Sequence, residues 1–125
     1  MLSNAKVTAV LPAADLERAR KFYTEKLDLK EDAPMPGGAS FKCGGGTEIF
    51  LYQRPPVTVE HTQASFQVDD LDAEMKELRA RGVVFEEYDM PEMKTVNGVA
   101  IMDKWKSAWF KDSEGNILAL GQTVK

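Results

Sequence analysis

Two stretches of the chain repeat one pattern, and this repetition constrains the fold more than any other feature. The first copy covers residues 7–17 and the second covers residues 63–72. Each reads as an alternating strand that ends at an aspartate followed by leucine, at Asp15 in one copy and Asp70 in the other. The aspartate is placed to cap an amphipathic helix that follows. Because a repeated unit sets the architecture, the sequence predicts two copies of one supersecondary module.

The elements of each copy can be placed from alternation, helical spacing and turn residues. For the first copy we predict a helix after Asp15 and strands at residues 6–12, 29–33, 39–43 and 47–53. For the second copy we predict a helix at 71–81, an irregular loop or edge at 89–97, and strands at residues 62–68, 83–88, 99–102, 107–111 and 117–121. Each copy is interpreted as a βαβββ unit. The Pro55-Pro56 pair separates them, which gives one domain, 1–125, made of modules 1–55 and 56–125.

Length, charge and cysteine content exclude several classes of protein. A chain of 125 residues can bury one hydrophobic core, and its 43% hydrophobic content is ordinary for a globular domain. The net charge of −4 disfavours nucleic-acid binding, which depends on neutralising phosphates. The single cysteine, Cys43, excludes an internal disulfide, and neither a signal peptide nor a membrane-length apolar run is recognisable. These features predict a cytoplasmic protein that binds neither nucleic acid nor membrane.

Two motifs make the chain resemble a known superfamily. They are Asp-Leu-Glu-Arg-Ala-Arg-Lys-Phe-Tyr at residues 15–23 and Ala-Trp-Phe-Lys-Asp-Ser-Glu-Gly-Asn-Ile-Leu at residues 108–118. With the paired modules, they resemble the vicinal oxygen chelate superfamily, which includes glyoxalase I, extradiol dioxygenases, and fosfomycin- and bleomycin-resistance proteins. The resemblance implies an α+β fold in which two βαβββ modules form a cup-shaped, incompletely closed sheet with helices outside (the glyoxalase/bleomycin-resistance fold). It also implies a homodimer with a ligand cleft.

Catalytic members of that superfamily hold a divalent metal through His or Glu side chains on the first and last strands of each module. Carried over by motif, these positions fall on Thr8 and Phe50 in the first copy and on Gln63 and Ala119 in the second. Such a set cannot hold a transition metal, which needs imidazole, thiolate or carboxylate ligands. A slip of two residues, to Glu48 and His61, would move a ligand by roughly 6–7 Å along a strand. We therefore predict no metal and no other cofactor.

Aromatic and neutral polar residues are predicted to share the inner face of the cup. Phe50 and Tyr52 lie on one face by alternation, and Trp105 and Trp109, four residues apart, also lie on one face. Aromatic walls with a few polar groups are typical of small-molecule sites. The candidate ligand-binding residues are Thr8, Phe50, Tyr52, His61, Gln63, Ser65, Trp105 and Trp109. No catalytic residue is assigned.

Three functions remain open from the sequence. The first is a metal-free small-molecule binding protein that sequesters an antibiotic or metabolite. The acidic residues at 86–92 favour a cationic ligand, and the aromatic candidate residues favour an aromatic one. The second is a divalent-metal-dependent lyase of the glyoxalase type or a dioxygenase, with displaced ligands. The third is a non-catalytic partner domain.

Overall fold

The two aspartates that follow the repeated strands both cap helices, as predicted. In the computed structural model, which describes residues 1–33 and 35–123, Asp15 accepts a hydrogen bond from the amide of Arg18 at 3.1 Å. Asp70 accepts one from the amide of Ala73, also at 3.1 Å. The two helices are α1 (Leu16–Glu25) and α2 (Leu71–Ala80).

A second helix contact repeats in both modules and involves a glutamine on the last strand of each. The amide of Leu16 donates to Gln53 Oε1 at 3.2 Å, and the amide of Leu71 donates to Gln122 Oε1 at 2.8 Å. Each glutamine thus satisfies an amide at the helix start that has no partner within the helix. The duplication extends from the order of the elements to single side-chain contacts.

The first compact unit ends at Thr58 and contains one four-stranded sheet. Its strands are β1 (Thr8–Ala13), β2 (Lys30–Glu31), β3 (Gly38–Lys42) and β4 (Glu48–Gln53). They lie in the order β1-β4-β3-β2, with β1 parallel to β4 and the other pairs antiparallel. One face packs on α1, where Tyr23 contacts Phe41 at 5.5 Å between ring centroids, and Leu51 is fully buried. We call the other surface the open face of the first sheet.

The second unit begins at Val59 and repeats this plan with an added hairpin. Its strands are β5 (Thr62–Gln67), β6 (Asp89–Met90), β7 (Met93–Lys94), β8 (Ala100–Met102), β9 (Trp105–Lys111) and β10 (Ile117–Thr123). The sheet order is β5-β10-β9-β8, with β5 parallel to β10, while β6 and β7 pair separately. Leu118 and Phe110 are fully buried on the α2 side. The surface away from α2 is the open face of the second sheet.

The prediction of a strand at 83–88 is wrong. Only an isolated bridge joins Phe85 to Phe110, and the amide of Glu86 donates to the Trp109 carbonyl at 2.8 Å. At Tyr88 the amide donates to a side chain, Thr95 Oγ1, at 2.8 Å, while the Tyr88 carbonyl accepts from the Thr95 amide at 2.9 Å. The segment predicted as irregular at 89–97 instead contains the β6–β7 hairpin.

The turn from β9 to β10 is organised by one buried carboxylate. Asp112 Oδ1 accepts hydrogen bonds from the amides of Glu114 and Asn116, both at 2.8 Å. Asp112 Oδ2 accepts one from the Asn116 side chain, also at 2.8 Å. Gly115 has φ of +84°, a conformation that glycine adopts without a steric cost. The turn between the strands predicted at 107–111 and 117–121 is therefore tightly bonded.

The α+β class and the two βαβββ modules are confirmed, with most element boundaries moved by one or two residues. Gly82, at φ of +91°, follows α2 in the left-handed conformation that commonly ends a helix. Within residues 1–33 and 35–123, neither helix has the length and apolar character needed to cross a bilayer.

Candidate functional site

The open face of the second sheet carries Trp105 and Trp109, which alternation had placed together. Trp105 is 45% exposed, at the outer end of β9. The Trp109 ring lies over β10, because Ala119, its partner in the register, is small. Its Nε1 donates to Thr62 Oγ1 at 3.1 Å, so the ring spans from β9 to β5. Ala119 is only 5% exposed beneath it.

A second ring fixes the orientation of this indole. Tyr88 meets Trp109 edge to face, with centroids 5.5 Å apart and planes at 82°. Such a pair contributes about 0.5–1.5 kcal/mol beyond the area it buries. Burial and the nearby Glu86 carboxylate raise the pKa of Tyr88, so its hydroxyl remains neutral at pH 7. The indole is therefore held in place before any ligand arrives.

Gly121 leaves a recess beside the indole wall. A Cβ built on Gly121 would meet Gln67 at 3.6–3.7 Å and Ser65 Oγ at 3.7 Å, which are ordinary contact distances. Ser65 and Gln67 are exposed residues of β5 and stand next to Ala119 and Gly121 in the register. The absence of a side chain at 121 thus leaves room for about one methyl group beside the Ser65 hydroxyl and the Gln67 amide.

Gln63 lies in a bulge rather than on a regular strand face. The register passes from Ile117 opposite Thr62 to Leu118 opposite Ala64, so Gln63 has no partner residue. The bulge interrupts the alternation by which Gln63 was placed on the face of Ser65, so its place on that face stays a prediction. Gln63 Oε1 is buried and accepts no hydrogen bond from the described part of the chain. An unpaired buried acceptor costs about 1–3 kcal/mol, which a donating ligand would offset.

His61 does not belong to this strand. It is exposed, at a bend before β5 begins at Thr62. Because it precedes the strand, alternation along β5 does not place its side chain on either face of the sheet. Its position next to the end of β5 is the one observation that supports His61 as a ligand-binding residue.

The open face of the first sheet carries Thr8, Phe50 and Tyr52, as alternation predicts. Thr8 is exposed and pairs with Glu48, while Phe50 and Tyr52 are half-buried on β4. The Phe50 ring packs over Gly38, where a Cβ would come within 2.6 Å of Cζ.

Charged groups at this first face already have partners. Arg54 lies over the Tyr52 ring, 5.7 Å from its centroid, so one face of that ring already meets a cation. Glu48 Oε2 accepts from Ser40 Oγ at 3.3 Å. The predicted residues are therefore distributed over two faces, and each face has its own chemistry.

Three contributors to the second face were missed by the sequence analysis: Thr62, Tyr88 and Gly121. Gly121 could have been found from the sequence, because residues 118–121 (Leu-Ala-Leu-Gly) alternate large and small side chains. This pattern indicates a strand with one densely packed face and one face that carries only small side chains. No local signal identifies Thr62 or Tyr88, since both act through contacts with a distant tryptophan.

The positions where metalloenzymes of this kind place ligands do not fit a metal. Thr8 and Gln63 present a hydroxyl and an amide, and Phe50 and Ala119 present no donor atom. Among residues 1–33 and 35–123, no three His, Cys, Asp or Glu side chains are grouped closely enough to hold a metal ion. Cys43 stands alone, and burial, with Glu48 nearby, raises the pKa of its thiol. The donor chemistry of this chain and the family's metal site therefore disagree.

The acidic segment at 86–92 is partly neutralised by its own contacts. Glu86 pairs with Lys111 at 3.5 Å. Glu87 accepts hydrogen bonds from Thr95 Oγ1 at 2.6 Å and from the Gly98 amide at 2.8 Å, and these bonds lower its pKa. The attraction for a cationic ligand inferred from the sequence is therefore weaker than a simple charge count suggests.

Residues 7–120 match the family model for the Glyoxalase/Bleomycin resistance protein/Dioxygenase superfamily. This span is most of the chain, so the protein belongs to that superfamily, as its motifs indicated. No protein of curated description matches the sequence significantly.

Solved structures share the fold. One similar structure is TnmS3, an antibiotic binding protein from Streptomyces sp. CB03234, with 24% identity, 98% of each chain covered and a TM-score of 0.70. Another is lactoylglutathione lyase from Agrobacterium tumefaciens, with 22% identity, 95% of this chain and 93% of that one covered, and a TM-score of 0.66. A third is a glyoxalase/bleomycin resistance protein/dioxygenase from Nocardioides, with 22% identity, coverage of 95% and 83%, and a TM-score of 0.66. At these identities the likeness establishes the fold alone.

Proposed function

We propose that this protein is a metal-free small-molecule binder that sequesters an aromatic antibiotic or metabolite. The observation that carries the proposal is the open face of the second sheet. There, a preoriented indole stands beside a glycine recess lined by Ser65 and Gln67. A flat ring can stack on Trp109, and its polar substituents can bond to these neutral groups.

The ligand's polarity follows from the same face. Its hydrogen-bonding groups are neutral: the Ser65 hydroxyl, the Gln67 amide and the unpaired Gln63 carbonyl. Neutral groups recognise hydroxyl, amide or quinone-type oxygen atoms without requiring a charged ligand. We therefore propose an aromatic ligand with at least one hydrogen-bond donor, which Gln63 Oε1 accepts. The similarity to TnmS3, an antibiotic binding protein, supports this class of ligand.

The test is tryptophan fluorescence titration with a panel of polycyclic aromatic antibiotics. We expect saturable quenching by at least one member, and Gly121→Val should weaken that binding at least tenfold because its methyl groups occupy the recess. The matched control is Gly44→Val, which adds the same atoms at an exposed turn where nothing lies within 4 Å of a Cβ. A Cβ at 121 would meet no atom closer than 3.6 Å, and circular dichroism checks that both valine variants fold.

Two results would contradict the proposal. One is the absence of saturable quenching across the panel, and the other is equal affinity in Gly121→Val and Gly44→Val. A stoichiometric metal that raises the melting temperature would instead support the lyase or dioxygenase alternative. Elemental analysis of protein purified without chelator measures this directly.

We also propose that the protein acts as a homodimer in the cytoplasm. The family resemblance supports the dimer, and the single free thiol of Cys43 suits a reducing compartment. Sedimentation velocity at micromolar concentration gives the oligomeric state, and a monomer at all concentrations would contradict it.

A further inference from the structure

A groove of about 530 Å³ lies on the α2 side of the second sheet, away from the open face. One wall is α2, with Met75 and Arg79, and the other is the segment that runs from Lys94 to Ile101. Its size is that of a small-molecule site. All of its lining residues belong to the second unit, and none of them takes part in the proposed aromatic site.

The apolar part of the groove is aliphatic. Met75, Val96, Val99 and Ile101 line it, and no aromatic side chain does. Val96 is 66% exposed and Ile101 is 69% exposed, so water covers apolar surface that an occupant could bury. This surface fits a saturated chain and offers nothing on which an aromatic ring could stack.

The charged part of the groove is cationic in a protein whose net charge is −4. Arg79, Lys94 and Lys106 line it together with one carboxylate, Asp72, which pairs with Lys106 at 3.7 Å. Lys94 is exposed and stands opposite Asp89 in the β6–β7 hairpin, but the two form no ion pair within 4.0 Å. A net positive lining of this kind favours an anionic ligand.

Contacts within the protein hold the wall of the groove. Arg79 donates to the Asn97 carbonyl at 2.8 Å and lies over the Phe85 ring, 5.2 Å from its centroid. Gly98 approaches α2 so closely that a Cβ there would lie 3.1 Å from Met75 Cε. The Gly98 amide is in turn bonded to Glu87. A wall fixed in this way lowers the ordering cost of binding.

We propose that this groove binds an organic anion with an aliphatic chain, of the medium-chain carboxylate class. The carboxylate meets Lys94 and Arg79 at the cationic end, and the chain covers the exposed faces of Val96 and Ile101. The site is independent of the aromatic site, because it uses other residues and takes an aliphatic anion instead of an aromatic ligand. The chain can therefore bind two ligands of different chemistry on the two sides of one sheet.

The test uses decanoate as the probe, titrated below its micelle concentration by isothermal titration calorimetry and by amide chemical shifts. We expect saturable binding with shift changes confined to α2 and residues 94–106. Decyltrimethylammonium should bind at least tenfold more weakly. Lys94→Glu should weaken decanoate binding roughly fivefold or more, because it replaces attraction with repulsion.

The matched control is Lys104→Glu, which makes the same charge change at an exposed turn outside the groove. It should bind decanoate with wild-type affinity. The proposal is overturned if decanoate does not saturate, if the cationic analogue binds equally well, or if both variants lose affinity by the same factor. Saturable binding of an acidic peptide without any binding of decanoate would make the groove a protein-docking site instead, and would also overturn it.

Discussion

The Asp112 carboxylate holds the turn between the two longest strands of the second sheet, and its removal is the sharpest test of the packing described above. Asp112 is 6% exposed and accepts hydrogen bonds from the Glu114 amide and from both the amide and the side chain of Asn116, which is 1% exposed. In Asp112→Ala the amide and the side-chain nitrogen of Asn116 lose their acceptor in a place that water reaches poorly.

The expected cost follows from these bonds. A hydrogen bond to a charged group contributes about 1.5–3 kcal/mol, and a buried donor left unpaired costs about as much. If the more accessible Glu114 amide finds water, two losses remain, and the free energy of unfolding falls by roughly 3–5 kcal/mol. That is a large part of the 5–15 kcal/mol typical of a domain. Asp112→Asn keeps the shape but sets an amide against the Asn116 side chain, so about 1–2 kcal/mol is expected.

Urea unfolding followed by circular dichroism measures both variants. The duplicated turn of the first unit offers a matched control, because Thr47 Oγ1 donates one exposed hydrogen bond to the Gly44 carbonyl at 2.6 Å. Thr47→Ala should cost only about 0.5–1 kcal/mol. If Asp112→Ala lowers the free energy of unfolding no more than Thr47→Ala does, the reasoning is refuted. Hydrogen bonds from buried donors would then not be what stabilises this end of the sheet.

Two further predictions follow from single contacts. Glu87 has a lowered pKa because Thr95 and Gly98 donate to it, so its stabilising effect is complete above about pH 4.5 and is lost as pH falls through the lowered pKa. Glu87→Gln should therefore melt below wild type at pH 7 by a margin that closes towards pH 3, and parallel melting curves at all pH values would argue against this. Gly38→Ala should cost about 1–3 kcal/mol through its clash with Phe50. Adding Phe50→Leu should recover part of that loss in a double-mutant cycle, whereas additive losses would show that the contact does not matter.

Features encoded within a few residues could be predicted from the sequence. The caps at Asp15 and Asp70 use donors three residues away, and both helices begin where the sequence places them. Alternation alone put Trp105 and Trp109 on one face, because β9 is regular along its whole length. The role of these tryptophans in ligand binding stays a prediction.

Features that depend on a distant partner could not be predicted. The bulge at Gln63 exists only against the register of β10, about 50 residues later, and no property of β5 itself announces it. The strand expected at 83–88 is reduced to one bridge, between Phe85 and Phe110, and at its end the Tyr88 amide bonds to the distant Thr95 hydroxyl instead of to a backbone carbonyl. One long-range contact could have been predicted, namely the hydrogen bond from each helix start to a glutamine on the last strand. Gln53 and Gln122 occupy matching positions in the two copies, which indicates that they make the same contact.

The parallel pairing of β5 with β10 determines how long β5 stays unpaired while the chain is being synthesised. From Gln67, where β5 ends, roughly 50 residues must be synthesised before Ile117 begins the neighbouring strand, which takes several seconds at typical translation rates. During that time β5 is an unpaired strand in a partly folded chain and could seed aggregation. Its sequence, Thr-Gln-Ala-Ser-Phe-Gln, carries only two apolar side chains. The polar side chains that line the open face of the finished sheet therefore also keep the nascent strand hydrated until its partner emerges.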